Sequence, residues 1–150
     1  MRKINEIMSK NVTCATPDTS LIEISKLMVK ANCGDIPLVN NMNQKIVVGV
    51  ITDRDIVCRT LAQGRNPMDL MARDCMSANV IMADLNMSIQ DVISLMRDNK
   101  VRRIPVVDKD DKLTGIITQA DILQSSNERE VVEMVHELSK SIDSPPSIIH

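Results

Sequence analysis

The second half of this chain repeats the first half, and that duplication constrains the fold more than any other feature of the sequence. The clearest matching segments are 49–55, Gly-Val-Ile-Thr-Asp-Arg-Asp, and 115–121, Gly-Ile-Ile-Thr-Gln-Ala-Asp. Upstream, Met-Ser pairs at 8 and 76 and Ile-Pro pairs at 36 and 104 match at one constant spacing, which changes only at the polar turn 40–44. A repeat of this length predicts two copies of one supersecondary unit, each needing the other to bury a core.

Each copy has the pattern of a strand, a helix, two further strands and a last helix, which predicts a mixed α/β fold (mixed α+β). The helices are indicated by apolar residues at i, i+3, i+4 and i+7, namely Leu21, Ile24, Leu27, Met28, Ala31, and Ile89, Val92, Ile93, Met96. The strands are predicted at 12–15, 36–39 and 46–51, and at 80–83, 104–107 and 113–118. We expect Asp18 or Thr19 to cap the first helix, and Asn86 or Ser88 its counterpart.

The Gly-x-x-Thr-x-x-Asp motif in each copy has two interpretations. Thr52 and Thr118 stand where a helix begins, so each predicts an N-cap, with an acid three residues later as in a capping box. Asp is shorter than the usual Glu, which disfavours the reciprocal hydrogen bond. A carboxylate such as Asp55 or Asp121 is well suited to accept two hydrogen bonds from a ribose diol, so the residues alone leave capping and ligand binding open.

The ordered set of helix, Ile-Pro-Leu/Val-Val hairpin and Gly-x-x-Thr-x-x-Asp, found twice, resembles the CBS (cystathionine-β-synthase) domain. The resemblance covers about residues 4–124 and implies a tandem pair, or Bateman module: two CBS units, each β-α-β-β-α, in a pseudo-two-fold arrangement with a C-terminal helix added. The expected boundaries are 1–62 for the first domain, 63–69 for a linker, 70–124 for the second domain, 125–143 for the helix and 144–150 for a flexible tail.

The resemblance implies an adenine nucleotide (AMP, ADP, ATP or NAD-like) in the cleft between the two domains. Thr52 would face the nucleotide and Asp55 would hold the ribose, while Arg103 would reach across the pair to the phosphate and Arg54 could add a second contact. The full set of implied ligand-binding residues is Thr16, Asp35, Ile36, Pro37, Thr52, Arg54, Asp55, Arg103, Ile104, Thr118 and Asp121.

The second copy departs from this pattern at two positions. Ala83-Asp84-Leu85 stands where the first copy has Thr16-Pro17, with Asp84 in the place of Thr16, and Ala120 replaces Arg54. An acidic Asp84 would disfavour an anionic ligand, so the first copy is the preferred site.

Composition restricts the function classes. A net charge of −2 and a pI near 5.7 disfavour nucleic acid or a membrane as partner. No stretch is long and apolar enough to span a bilayer, and the first residues lack the apolar core of a signal peptide. Four scattered cysteines without C-x-x-C indicate free thiols in a reducing cytoplasm. Without Phe, Trp or Tyr, a bound base would lie between aliphatic side chains.

Residues 125–143 predict a further helix with a continuous apolar stripe, formed by Val131, Met134, Val135, Leu138 and Ile142. Such a stripe must be covered, because each large apolar side chain left in water forgoes roughly 1.5–3 kcal/mol. We expect this helix to pack at or beside a homodimer interface; the alternative is that it folds back over a module of its own chain.

These observations favour a regulatory module that senses an adenine nucleotide and acts through a homodimer or a separate effector protein. No catalytic or metal-binding constellation stands out, so the chain is not expected to be an enzyme or to require a cofactor. The alternatives are a structural dimerisation module with vestigial pockets, or a binder of S-adenosylmethionine, which would not need the arginines.

Overall fold

A computed structural model describes residues 2–140, and these form two compact units. The first-repeat unit comprises Thr13–Val80 together with Asp110–Leu113. The second-repeat unit comprises the residues up to Val12, Ile81–Lys109 and those from Thr114 onward. Each unit therefore draws on more than one stretch of the chain.

The first-repeat unit packs one main helix against a two-stranded antiparallel sheet, with a short helix after the sheet. Its elements are α1 (Leu21–Ala31), β1 (Asp35–Val39), β2 (Val47–Thr52) and α2 (Asp53–Arg59), followed by 3-10 turns at Leu61–Gln63, Pro67–Asp69 and Ala72–Asp74. Strands β1 and β2 pair with Ile36 opposite Ile51, with a register shift at Leu38/Val39. The core of this unit is aliphatic: Leu21, Ile24, Met28, Ile36, Leu38 and Ile51 are buried together.

The second-repeat unit has the same order of elements, with a short additional strand before its main helix and one further helix at its end. Its elements are a 3-10 turn at Ile4–Glu6, β3 (Ala83–Asp84), α3 (Ile89–Asn99), β4 (Arg103–Val107), β5 (Leu113–Thr118), α4 (Gln119–Ser125) and α5 (Glu128–Ser139). The three strands lie in the order β3-β4-β5, and β3 runs parallel to β4. The α/β class and the two main helices of the repeat are thus confirmed.

Two local expectations were wrong for the first repeat. The strand predicted at 12–15 is reduced to a single bridge, in which Ala15 pairs beside Leu38. The first helix is capped by Ser20, whose hydroxyl accepts from Glu23 N at 3.2 Å, because Thr19 is already used in a turn that accepts from Thr16 N. In the second repeat Ser88 is the cap, as expected.

The segment ahead of each repeat packs in the unit of the other repeat. Ser77 pairs with Val50 of β2, and Ser9 pairs with Ile116 of β5. The glycines beside these bridges are needed for the close approach: a Cβ on Gly115 would lie 2.8 Å from Ser9 O. The compact units therefore do not coincide with the domain boundaries predicted from the repeat. Those boundaries remain a prediction.

Helix α5 folds back onto its own unit, as the alternative expectation stated. Met134 is 2% exposed and belongs to the core beneath α3, with Leu138 packed against it. Glu137 pairs with Arg97 of α3, and Glu130 pairs with Arg2 at 2.9 Å. A place for α5 beside a homodimer interface stays a prediction, and Ile142 and the predicted tail lie outside the described residues.

None of the helices between residues 2 and 140 is long and apolar enough to cross a membrane.

Candidate functional site

The Thr52–Asp55 motif joins the end of β2 to the start of α2. Thr52 is the N-cap of α2, and its hydroxyl oxygen accepts from Asp55 N at 3.0 Å. In return, Asp55 Oδ2 accepts from Thr52 N at 2.9 Å. The expectation that Asp is too short for this reciprocal bond was therefore wrong, and Asp55 completes a capping box.

The capping bonds leave part of the Asp55 carboxylate unused. A carboxylate offers about four lone-pair positions, and the Thr52 N–H takes one of them on Oδ2. The other oxygen, Oδ1, lies 3.7 Å from Arg59 Nε, and the side chain is 19% exposed. Asp55 can therefore cap the helix and still accept hydrogen bonds from a ligand.

Arg59 also lies at this motif, although the sequence did not single it out. Besides pairing with Asp55, it donates from Nη1 to Met76 O at 3.1 Å. The i, i+4 spacing of Asp55 and Arg59 on a helix was the available signal. The Arg59 guanidinium therefore lies beside Asp55 Oδ1 at ion-pair distance, beyond the reach of a direct hydrogen bond.

The start of β1 lies beside this motif. Asp35 is the strand partner of Thr52, and Asp53 N donates to Gly34 O at 2.8 Å. The Asp53 carboxylate lies against Gly34, where a Cβ would approach its Oδ2 to 2.8 Å. The structure thus brings Asp35, Thr52 and Asp55 together, and adds the carboxylate of Asp53, which the sequence did not assign to the site; a role of these residues in ligand binding stays a prediction.

The other predicted site residues of this unit differ in how far their side chains are exposed to solvent. Ile36 is fully buried in the core and Pro37 is buried opposite Val50, so only the backbone around Ile36 is suited to meet a ligand. Arg54 has an exposed side chain, and its N–H donates to Asp53 Oδ1 at 2.8 Å. The Arg54 guanidinium is therefore accessible next to the motif.

Thr16 is not brought to this cluster within its unit. Its neighbour Ala15 pairs beside Leu38, so Thr16 lies toward the Val39 end of β1. Asp35 begins the same strand, and four residues of strand span about 13 Å. Thr16 makes its contacts locally, with its N–H donating to Thr19 Oγ1 at 3.1 Å.

The second repeat builds the same arrangement with different charges. Asp121 N donates to Thr118 Oγ1 at 3.1 Å, and Thr118 N donates to Asp121 Oδ2 at 2.9 Å. Gln119 N donates to Arg102 O at 3.0 Å, and this bond is equivalent to the one from Asp53 N to Gly34 O in the first repeat. Arg103 then begins β4, so arginine here occupies the strand position that Asp35 has in the first repeat.

Two other residues of the second repeat have structural contacts. Ile104 is fully buried in its core, as Ile36 is in the first repeat. Asp84 pairs beside Val107 at the far end of β4, and its Oδ1 accepts from Asn86 N at 2.8 Å. Within this unit, Asp84 therefore ends strand β3 and lies away from Thr118 and Asp121.

Two of the four cysteines, Cys14 and Cys75, lie in surroundings that favour the protonated thiol. Burial raises the pKa of the Cys14 and Cys75 thiols, partly offset by Lys45 and by Arg65 respectively. Both thiols therefore remain protonated near neutral pH, where a thiolate would be needed for nucleophilic attack. Across residues 2–140, no group of three His, Cys, Asp or Glu side chains is placed to hold a metal ion.

Comparison with known proteins agrees with this geometry. The family model described as "CBS domain" matches residues 4–59 and 72–128. The chain belongs to the CBS domain family. The first match ends with α2 and the second runs just past α4, so each match includes one Thr-x-x-Asp motif and the two capping boxes are equivalent features of two CBS domains.

Curated relatives share much of their sequence with this CBS pair. Hypoxic response protein 1 of Mycobacterium tuberculosis is 32% identical over 99% of both chains. The CBS domain-containing protein YhcV of Bacillus subtilis is 35% identical over 85% of this chain and 89% of its own. The uncharacterized protein MK0525 of Methanopyrus kandleri is 37% identical over 81% of this chain, which spans 61% of that longer protein.

Solved structures show the same fold. A crystal structure of Hypoxic Response Protein I with two coordinated zinc ions superposes with a TM-score of 0.75, at 31% identity, covering 84% of this chain and all of that one. The CBS domain pair of protein MJ0100, in complex with 5-methylthioadenosine and S-adenosyl-L-methionine, gives a TM-score of 0.71 at 29% identity, covering 83% and 95% of the two chains.

Proposed function

We propose that this CBS pair is a regulatory module that binds an adenosine-containing ligand, with an adenine nucleotide as the leading candidate. The observation that carries the proposal is the Asp55 carboxylate, which caps α2 and retains lone pairs beside Thr52. A ribose presents two neighbouring hydroxyl donors, and two hydrogen bonds to one carboxylate match that geometry. The complex of MJ0100 with two adenosyl compounds supports the ligand class.

The first repeat is the proposed primary site. Asp35 and Thr52 are strand partners there, so the backbone at Asp35 and Ile36 is placed to meet the base while Asp55 receives the ribose. The aliphatic composition of the chain, which has no aromatic residue, means that the base would lie between aliphatic side chains. Thr118 and Asp121 are the proposed ribose contacts of a second site.

Arginine is the proposed source of phosphate recognition. A guanidinium pairs with phosphate oxygens through two parallel hydrogen bonds. Arg54 has an accessible side chain beside Thr52, and Arg103 begins β4 in the second repeat. We assign both as phosphate contacts of a bound nucleotide.

S-adenosylmethionine is a second candidate, favoured by one observation. Three carboxylates, those of Asp35, Asp53 and Asp55, belong to the residues that surround Thr52. Arg54 and Arg59 offset part of this charge, but the carboxylates outnumber the guanidiniums, and the remaining negative charge favours a sulfonium cation over phosphate. The charge of the ligand therefore separates the two candidates.

The module would report ligand binding through a homodimer or through a separate effector protein, in the cytoplasm. An adenine nucleotide as ligand would couple that output to the energy or cofactor state of the cell. In this proposal the chain itself performs no reaction and requires no cofactor.

Isothermal titration calorimetry with AMP, ATP, NAD and S-adenosylmethionine tests the proposal. Binding of AMP, ATP or NAD in the micromolar range supports the nucleotide assignment, and binding of S-adenosylmethionine alone supports the second candidate. The structural alternative, a dimerisation module with vestigial pockets, predicts no heat with any of the four. The Asp55→Asn variant is the control, because an Asn oxygen can still accept from Thr52 N while the charge is removed.

A further inference from the structure

Helix α1 borders a groove of about 510 Å³ in the first-repeat unit. We call it the α1 groove, and its lining includes Ile22, Lys26, Val29, Lys30, Ile56 and Met68. Its apolar side chains reach solvent: Val29 is 83% exposed. Isolated exposed apolar residues are ordinary, but a contiguous set lining one groove indicates an interaction surface.

The same place in the second-repeat unit is already covered. There the cavity is smaller, about 290 Å³, and is lined by Ile89, Gln90 and Ile93 of α3 together with Arg2 and Glu130. In the repeat, Leu21 and Ile22 of the α1 groove correspond to Ile89 and Gln90. Glu130 belongs to α5, so the position on α3 is closed by an amphipathic helix that lies across it.

Helix α5 has a second apolar strip that its own unit does not use. Met134 is buried against the core, but Val132 and Val135 are exposed on the flank beside it, Val132 to 68%. Glu128 stands one helical turn before Val132, on the same flank. One edge of α5 is therefore occupied by α3, while the neighbouring edge presents two valines and a carboxylate to solvent.

The charges of the groove and of this helix are complementary. Lys26 and Lys30 line the α1 groove, and Lys26 lies 3.6 Å from Glu23 on its own helix. Helix α5 is acidic, with Glu128, Glu130, Glu133 and Glu137. Arg97 of α3, which pairs with Glu137, corresponds in the repeat to Val29 of α1. The α1 groove is therefore apolar at this position, and the two lysines lie beside it.

We propose that the α1 groove receives helix α5 of a second copy of this chain, with Val132 and Val135 against Val29 and Met68, and Glu128 against Lys26 or Lys30. A two-fold axis repeats the contact, because each copy supplies one groove and one helix. The proposal rests on the homodimer included in the proposed function. It goes further by naming the two surfaces that join.

Sedimentation equilibrium of the full chain, combined with surface substitutions, tests this assignment. Val29→Glu places a carboxylate opposite the acidic helix, and Val132→Glu places one in the apolar strip; each should raise the dimer dissociation constant at least tenfold. Both residues are solvent-exposed, so the fold is expected to be retained. Met42→Glu is the matched control, since Met42 is exposed outside the groove and its replacement should leave the dimer unchanged.

A charge exchange tests the pairing itself. Lys26→Glu combined with Lys30→Glu should weaken the dimer, and adding Glu128→Lys should restore part of the affinity. A wild-type chain that remains monomeric at the highest concentration measured would overturn the proposal. So would a dimer that tolerates Val29→Glu, or one that tolerates Val132→Glu, because either shows that the contact uses another surface.

Ligand binding reports separately on the proposed function. Val29 lies outside the Thr52–Asp55 motif, so the Val29→Glu variant should still bind the nucleotide in calorimetry. Loss of the dimer with retained ligand binding would support both proposals, whereas a dimer without any ligand binding would overturn the ligand assignment alone.

Discussion

Thr52 and Asp55 hold each other in place: the Asp55 carboxylate accepts from Thr52 N at 2.9 Å while the Thr52 hydroxyl accepts from Asp55 N at 3.0 Å. Capping and ligand binding were separate interpretations of this motif in the sequence. The geometry makes them compatible, because the cap fixes the carboxylate in one orientation and leaves lone pairs for a ligand. A fixed acceptor loses less side-chain freedom when a ligand binds.

The first prediction separates the two roles of Asp55 through stability. Asp55→Ala removes the reciprocal capping bond and should lower the free energy of unfolding by about 0.5–1.5 kcal/mol, the net contribution of a typical hydrogen bond. Asp55→Asn retains an acceptor for Thr52 N and should cost less. Urea unfolding followed by circular dichroism measures both values, and equal losses for the two variants would show that the cap does not explain the stability at this position.

The second prediction concerns phosphate. Arg103→Ala should weaken binding of AMP much more than binding of adenosine, because only AMP carries the anion that the guanidinium would pair with. Calorimetry with both ligands gives the comparison. An equal loss for the two would mean that Arg103 shapes the site without contacting phosphate, and Lys109→Ala, a change in the turn after β4, serves as the control.

The third prediction concerns the docking of α5 and its dependence on pH. Hydrogen bonds from Lys140 and Arg97 lower the pKa of the Glu137 carboxyl below its ordinary value. A carboxyl with a lowered pKa stabilises the folded state above its unfolded pKa, and this contribution is lost as the pH falls through the folded pKa. The melting temperature of Glu137→Gln should therefore lie below that of the wild type at pH 7, and the difference should shrink in acid.

The control for that measurement is Glu133→Gln. Glu133 pairs with Arg129 on the same helix at 3.4 Å, and both side chains are exposed, so the pair contributes little. A gap at pH 7 that is as large for Glu133→Gln as for Glu137→Gln would contradict a specific role of Glu137 in docking.

The fourth prediction tests the position of the N-terminal segment. Gly115→Ala would place a Cβ 2.6 Å from Met8 Sδ and 2.8 Å from Ser9 O. Overpacking of this kind costs about 1–3 kcal/mol, whereas Gly→Ala at an unobstructed site stabilises by about 0.4–1 kcal/mol. Chemical unfolding measures the change, and a stabilised Gly115→Ala variant would show that Met8 and Ser9 do not lie against β5.

In the same experiment, Met8→Ala combined with Gly115→Ala should recover only part of the loss. The flexible Met8 side chain is removed in the double variant, but the backbone oxygen of Ser9 remains in the way. Complete recovery would place the whole clash on the side chain of Met8.

Local features of the fold were predictable from the sequence because they depend on neighbours in the chain. Thr52, Thr118 and Ser88 each cap the helix that follows, and the apolar spacing of α1 and α3 marks their buried faces. The reciprocal bond of Asp55 was not predicted, since the length of the side chain was considered without the extended backbone at Thr52, which brings its N–H within reach.

Long-range features were less accessible. Met8 and Met76 occupy equivalent positions in the repeat, and nothing in either segment indicates which copy it packs against. The structure places Met8 beside Gly115 and Met76 beside Gly49, an exchange set by tertiary packing. The position of Asp84 relative to Thr118 was likewise hidden, because the sequence does not show that β3 pairs with the far end of β4.

The most direct test of the central claim is a calorimetric titration of AMP into the wild type, Asp55→Asn and the matched variant Asp121→Asn. If Asp55 holds the ribose, Asp55→Asn loses a charge-assisted contact of roughly 1.5–3 kcal/mol, which weakens binding about tenfold to a hundredfold. Asp121→Asn should change the affinity less, because the first repeat is the proposed primary site. AMP affinity that is unchanged in Asp55→Asn would contradict the claim and leave Asp55 with a capping role alone.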